Sequence, residues 1–179
     1  MVNCARRCSE SWRDGQEFDL LQQMMGLTLE IAAGALFGAN HVNAAEIGEA
    51  LDFCISQYTA PRLAFLPLLQ RLPLPSTLLF RKHSGSLKRT VEAIIRERRR
   101  APGEHHDLLS LLLNEDMSDE QLRDECLTLF LAGHETTANA LTWTFYLLDR
   151  HPEIAQRVRA EVDAVIPSFA NLPRLEFTE

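Results

Sequence analysis

The sequence predicts a mostly α-helical fold, a multi-helix orthogonal array around one long central helix. Three observations lead there. Between Ser118 and His151 nothing interrupts a helical pattern, giving about 32 residues or roughly 48 Å of helix. A second apolar run, Asp19 to Phe37, repeats large side chains at helical spacing. No sustained apolar–polar alternation marks a strand, and no repeat or low-complexity tract is present.

Taken in order, residues 2–13 read as a short helix with Cys4, Cys8 and Trp12 on one face. With no histidine or third cysteine close by, these thiols are expected to pack rather than bind metal. Gly15 turns the chain. Asp19 to Phe37 follows as a helix with Gly38 as its C-cap, and Leu20, Met24, Leu27, Ile31 and Ala35 form a core stripe expected to pack on the central helix. Asn40 to Asn43 is a polar loop, and Ala44 to about Tyr58 an amphipathic helix. Pro61 to Pro75 is apolar and punctuated by proline, with Phe65 and Leu66 the candidates for contact with a substrate or membrane surface.

Residues 77–100 form a charged helix ending Arg96-Glu-Arg-Arg-Arg100, whose basic end complements the helix dipole and is expected to be a solvated face. Pro102-Gly103 is a turn. Ser118 and Gln121 then make a capping box, with Asp119 and Glu120 on the positive end of the dipole. Pro152 ends this central helix and starts the next.

Composition narrows the function. A length of 179 residues suits one domain, and a hydrophobic fraction of 46% an ordinary core. A net charge of −7 argues against a nucleic-acid partner. Four cysteines without C-x-x-C spacing fit a reduced, cytoplasmic protein, and Met1-Val-Asn opens no signal peptide.

The chemistry concentrates at the middle of the central helix, where an apolar run carries the polar knot His134-Glu135-Thr136-Thr137. A helix apolar on nearly every side is expected to be buried, and buried polar groups need a partner, a cavity or a reaction to justify them. Ala132, Thr136 and Ala140 share one face, and Gly133 and Thr137 form the next row, so a flat object can approach the backbone. Gly133 and Thr136 together favour a local bulge. A membrane span would place Glu135, His134 and Asn139 near its centre at high cost. A zinc-protease H-E-x-x-H fails because position 138 is alanine, and no Glu-x-x-His occurs for a di-iron bundle. On spacing alone, a functional knot and a buried helix satisfied by neighbouring loops both stand.

Ala132-Gly133-His134-Glu135-Thr136-Thr137 within a long helix resembles the distal-helix signature of the cytochrome P-450 haem-thiolate monooxygenases. His105-His-Asp-Leu-Leu-Ser-Leu-Leu112 and Leu148 to Glu161 are similar to the helices that precede and follow that signature in the family, and Leu172 to Glu179 to the lead-in of the helix after. The resemblance spans essentially residues 1–179, as a single partial domain from the middle of a longer protein, lacking the family's N-terminal sheet region and C-terminal haem-ligand region.

The resemblance implies a haem b cofactor against Ala132, Gly133, Thr136 and Thr137, with Glu135 and Thr136 catalytic. Thr136 would hydrogen-bond dioxygen and Glu135 relay protons to it. Leu129, Ala132, Phe65 and Leu66 would line the pocket of a small apolar organic substrate, the last two from the connection between the family's lid helices. His134 is the variable position of the signature and is expected to pack or bond locally rather than bind metal. Electrons would come from NAD(P)H through a ferredoxin- or reductase-type partner, with no membrane span expected in this segment. The family's iron ligand is a cysteine in a glycine-marked loop near the C-terminus. Cys4, Cys8, Cys54 and Cys126 all precede the signature, and none has glycine two residues later, so no metal ligand is expected here. The parent would be a monooxygenase and the isolated chain inactive. The alternative is a non-enzymatic all-α ligand-binding or dimerisation domain.

Overall fold

The computed structural model describes residues 1–38, 48, 50, 53, 75–100, 107–165 and 169–178. All regular structure among them is helical. The helices are α1 (Val2–Glu10), α2 (Leu20–Phe37), α3 (Pro75–Arg100), α4 (Leu108–Leu112), α5 (Asp119–Arg150) and α6 (Pro152–Asp163), followed by a 3₁₀ segment at Phe169–Arg174. The polar loop at 40–43, most of the helix expected from Ala44 to Tyr58, and the connection carrying Phe65 and Leu66 lie outside the described residues.

Local chemistry sets the ends of these helices. The α5 capping box forms in both directions: the Gln121 amide donates to Ser118 Oγ at 3.2 Å, and the Ser118 amide to Gln121 Oε1 at 3.0 Å. Helix α5 is 32 residues long, and the expected bulge is absent, since it runs as unbroken α-helix through Gly133 and Thr136. Threonine hydroxyls in α5 do bond back to carbonyls four residues earlier, Thr128 to Asp124, Thr142 to Ala138 and Thr144 to Ala140, each at 2.8 Å. The helix accommodates them without changing its hydrogen-bond register. Pro152 occupies the first turn of α6, where its missing N–H costs nothing. Gly38 ends α2 at φ +76°, a left-handed conformation that favours glycine.

The chain divides into two units, one made of Met1–Thr28 with Glu135–Glu179 and the other of Leu29–His134. In the first, Cys4 and Cys8 on α1 and Trp12 just beyond its end are the least exposed of residues 1–13, yet α1 buries no residue completely. Trp12 stacks on Phe18 at 5.1 Å and meets the edge of Phe145 at 6.5 Å. Glu161 on α6 gathers the end of the chain, accepting from the Phe177 amide at 2.7 Å and from the Thr178 amide at 2.9 Å. Arg157 lies over the Phe177 ring at 3.8 Å, a cation–π contact.

The Leu29–His134 unit holds the main core. Helix α3 contributes Leu87, Val91, Ile94 and Ile95, and α5 contributes Leu122, Cys126 and Phe130. Helix α2 enters this core through Leu29, Ala33, Leu36 and Phe37 rather than through Ile31 and Ala35. The expected stripe is therefore displaced: Met24 is buried as expected, while Leu20, Leu27 and Ile31 are half-buried and Ala35 is exposed. An all-apolar helix offers several equally greasy rows, and the partner, here Phe130 at 6.3 Å from Phe37, decides which is used. By length and composition α2 could cross a membrane, but these buried rows also suit a core helix.

The basic end of α3 is not uniformly solvated. Arg98 turns inward and pairs with Asp107 at 2.7 and 2.8 Å, donates to Ser110 Oγ at 2.8 Å, and reaches the carbonyl of Phe37 at 2.9 Å. Asp107 in turn caps α4 through the Ser110 amide at 3.0 Å. Burial pushes the Asp107 carboxyl up, but the hydrogen bonds from Arg98 and Ser110 outweigh it and hold the group at about 2. One ion pair thus ties the ends of α2, α3 and α4 together. A second, Arg123 with Glu92 at 2.8 Å, links α5 to α3.

Candidate active site

Helix α5 is sided more sharply than its sequence suggests. Every fourth residue from Leu122 forms a buried spine: Leu122, Cys126, Phe130, His134 and Ala138, none more than 1% exposed. Away from this spine, Ala132, Gly133, Thr136, Thr137 and Ala140 are all exposed. Ala132 and Gly133 belong to the Leu29–His134 unit, and Thr136 and Thr137 to the other, but all four stand on one uninterrupted helix. Glu135 is half-buried.

This corrects the sequence reading at one point. Of the four knot residues only His134 is buried, so the two hydroxyls incur no burial cost in this chain. In place of the walled cavity that burial implied, there is an open strip. A Cβ built on Gly133 would meet nothing within 4 Å, and no residue of the strip is larger than threonine. Low relief is what would let a planar macrocycle lie close to a helix backbone, so these residues fit a haem. Leu129 is half-buried and packs against the core. No cluster of three or more metal-ligating side chains exists among the described residues.

His134, expected to pack or bond locally, belongs to the core, its ring 6.2 Å from that of Phe130 with 18° between planes. What sequence reasoning missed is which row of α5 is buried and where Arg98 turns. The signal was the i, i+4 spacing of Cys126, Phe130 and His134, hidden because the residues between them are equally apolar. The inward turn of Arg98 depends on Asp107 and Phe37, which no local pattern connects.

Among the described residues all regular structure is helical, and the longest helix carries a small-residue strip beside a carboxylate, as the resemblance to the cytochrome P-450 family implies. Comparison with known proteins takes this further. The sequence profile described as Cytochrome P450 matches residues 4–178. The chain is 35% identical to cyclooctat-9-en-7-ol 5-monooxygenase of Streptomyces melanosporofaciens, covering 94% of this chain and 39% of that protein. It is 36% identical to pentalenene oxygenase of Streptomyces avermitilis, covering 94% and 40%. Among solved structures, the cytochrome P450DA heme domain superposes with a TM-score of 0.81 at 27% identity, over 98% of this chain and 42% of that one. A cyanobacterial CYP120A1 with bound retinoic acid gives 0.80 at 26% identity, over 97% and 40%.

The chain belongs to the cytochrome P450 family, and its helices are part of that fold. It spans about two-fifths of the length of the curated relatives it matches.

Proposed function

We propose that this chain supplies the distal side of a haem-dependent monooxygenase that inserts one atom of dioxygen into an apolar organic substrate. The observation that carries the reading is the Ala132–Thr137 signature standing on the open strip of α5. Ala132, Gly133, Thr136 and Thr137 would hold haem b, which when bound supplies the redox chemistry that activates dioxygen. Thr136 donates a hydrogen bond to dioxygen and fixes its orientation. Glu135, one residue earlier and half-buried, takes protons from solvent and passes them inward at its carboxyl. With the strip covered, the apolar flanks of α5 keep bulk water away, so protons arrive only by that route.

The substrate would be a hydrocarbon or alcohol with little polar surface, in keeping with the names of the two Streptomyces relatives, and Leu129, Phe65 and Leu66 would line its pocket. Electrons would come from NAD(P)H through a ferredoxin- or reductase-type partner. No cysteine follows the signature in this sequence, and the 179-residue chain alone is expected to be inactive.

The test uses these residues in a protein of the relatives' full length. Thr136→Ala should let NAD(P)H consumption continue while product per NAD(P)H falls and peroxide rises; unchanged coupling refutes the assignment. Glu135→Gln should slow turnover with substrate binding retained. The competing reading, a non-enzymatic dimerisation domain, has one observation in its favour: Trp143, Tyr146 and Leu147 on α5 are 62%, 48% and 51% exposed. Sedimentation of the 179-residue chain separates the two, since a stable dimer lost in Trp143→Ser would favour dimerisation.

A further inference from the structure

The motif that the proposed function leaves unused is Cys4-Ala-Arg-Arg-Cys8 on α1. Its two thiols stand four residues apart, one above the other on a single helical face. Both are half-exposed, and neither is in a disulfide. Helix α1 buries no residue, so the core packing expected of reduced cysteines is incomplete here. Arg7 Nη2 donates to Cys4 Sγ at 3.8 Å, which makes that sulfur an acceptor at the helix surface.

Helix geometry decides which chemistry the pair can perform. Side chains at i and i+4 hold their Cβ atoms about 5–6 Å apart. A disulfide needs them about 3.8 Å apart, so the pair cannot close into one while the helix is intact. A single atom bonded to both sulfurs is less demanding. With thiolate bonds of about 2.3 Å it spans sulfurs up to about 4.6 Å apart, a separation that two Cβ–Sγ arms leaning together reach. Zinc would take four ligands, and no group of three or more His, Cys, Asp or Glu stands ready among the described residues. The centre that matches is thiophilic and satisfied by two sulfurs.

We propose that Cys4 and Cys8 form a dithiol site for a trivalent organoarsenical, whose arsenic bridges the two sulfurs across one turn of α1 and keeps its own carbon substituent as third partner. With phenylarsine oxide the step balances without a redox partner. Two As–S bonds form, the As=O bond breaks, and both thiol protons leave with the oxygen as water, while arsenic stays trivalent. The site is independent of the monooxygenase reading.

Titration of the reduced 179-residue chain with phenylarsine oxide, followed by mass spectrometry, tests it. One equivalent should bind, adding the mass of the reagent less one water, and should stay bound in an excess of glutathione. Cys4→Ser and Cys8→Ser should each weaken binding at least about a hundredfold, because the second sulfur no longer acts at high effective concentration. Cys54 and Cys126 remain in both variants, so parent-like affinity in either would place the arsenical elsewhere and overturn the proposal. The re-spaced variant Arg6→Cys with Cys8→Ser keeps the number of thiols but sets them about 160° apart round the helix. It should bind as weakly as the single variants; binding as tight as the parent would show that any two nearby thiols suffice, against the geometric basis. In the parent complex, amide exchange over residues 6–10 should slow about tenfold, since a bridge across one turn resists fraying. Unchanged or faster exchange would mean that the arsenical is not held across a turn of α1, and would overturn the proposal as well.

Discussion

Replacing Asp107 with asparagine should destabilise the Leu29–His134 unit more than almost any other change of one charge. Asparagine is nearly isosteric and still caps α4, so the N-cap is kept while the charge is removed. What remains is the Arg98 guanidinium, whose side chain is only 10% exposed, with its counter-ion gone. Removing one partner of a buried pair costs about 3–5 kcal/mol, because the other charge is left uncompensated. Acid titration of the parent protein gives an independent measure. The folded carboxyl sits at about 2 against an ordinary 3.8, so its stabilisation is complete above the ordinary value and is lost as the pH falls from there through about 2. The difference corresponds to about 2 kcal/mol, smaller than the mutational cost because a protonated aspartic acid still fills the site. Urea denaturation across that pH range, read through the protection of the Ser110 amide, checks both figures. The double variant Asp107→Asn with Arg98→Met, which removes both charges, should recover much of the loss. A cost below about 1 kcal/mol for the single change, or a double variant no better than the single, would refute the view that this pair is a desolvated clamp.

Other expectations can be measured on the same chain. Gly133→Ala should raise stability by up to about 1 kcal/mol, since the added methyl meets nothing and alanine favours helix; a lower melting temperature would show that something occupies the strip. Gly48→Ala should do the reverse and cost about 1–3 kcal/mol, because its Cβ would fall 2.6 Å from Leu29 Cδ2. The Thr178 hydroxyl first, and the Phe177 amide with it, hold the Glu161 carboxyl below its usual range. Protection of the Phe177 and Thr178 amides should therefore persist above the ordinary carboxylate range, disappear as the pH falls through the lowered value, and be absent at all pH in Glu161→Ala.

How much of this was legible in the sequence divides along a physical line. What depends on residues a few places apart could be read: the Ser118–Gln121 box, the start of α6 at Pro152, and the 32-residue length of α5. The Ala132–Thr137 signature could also be read, because its meaning lies in spacing along one helix. What depends on which surfaces meet could not. Arg98 and Phe37 are 61 residues apart, and nothing local distinguishes Arg98, which turns inward, from Arg99, which pairs at the surface with Asp119. The buried rows of α2 and α5 were likewise hidden, because a helix with apolar residues all round carries no internal mark of its buried side.

That last ambiguity bears directly on function. A helix that presents backbone to a flat ligand cannot advertise the ligand side with bulky apolar residues, since bulk is what the ligand side must lack. The sequence can mark that side only by deletion, with alanine and glycine where a core face would carry leucine. Opposite that side α5 carries its bulk, in the buried rings of Phe130 and His134. The two sides of one helix therefore answer to different substitutions. Filling Gly133 should narrow the strip and leave the core untouched, whereas emptying position 134 should cost core packing and leave the small residues of the strip as they are.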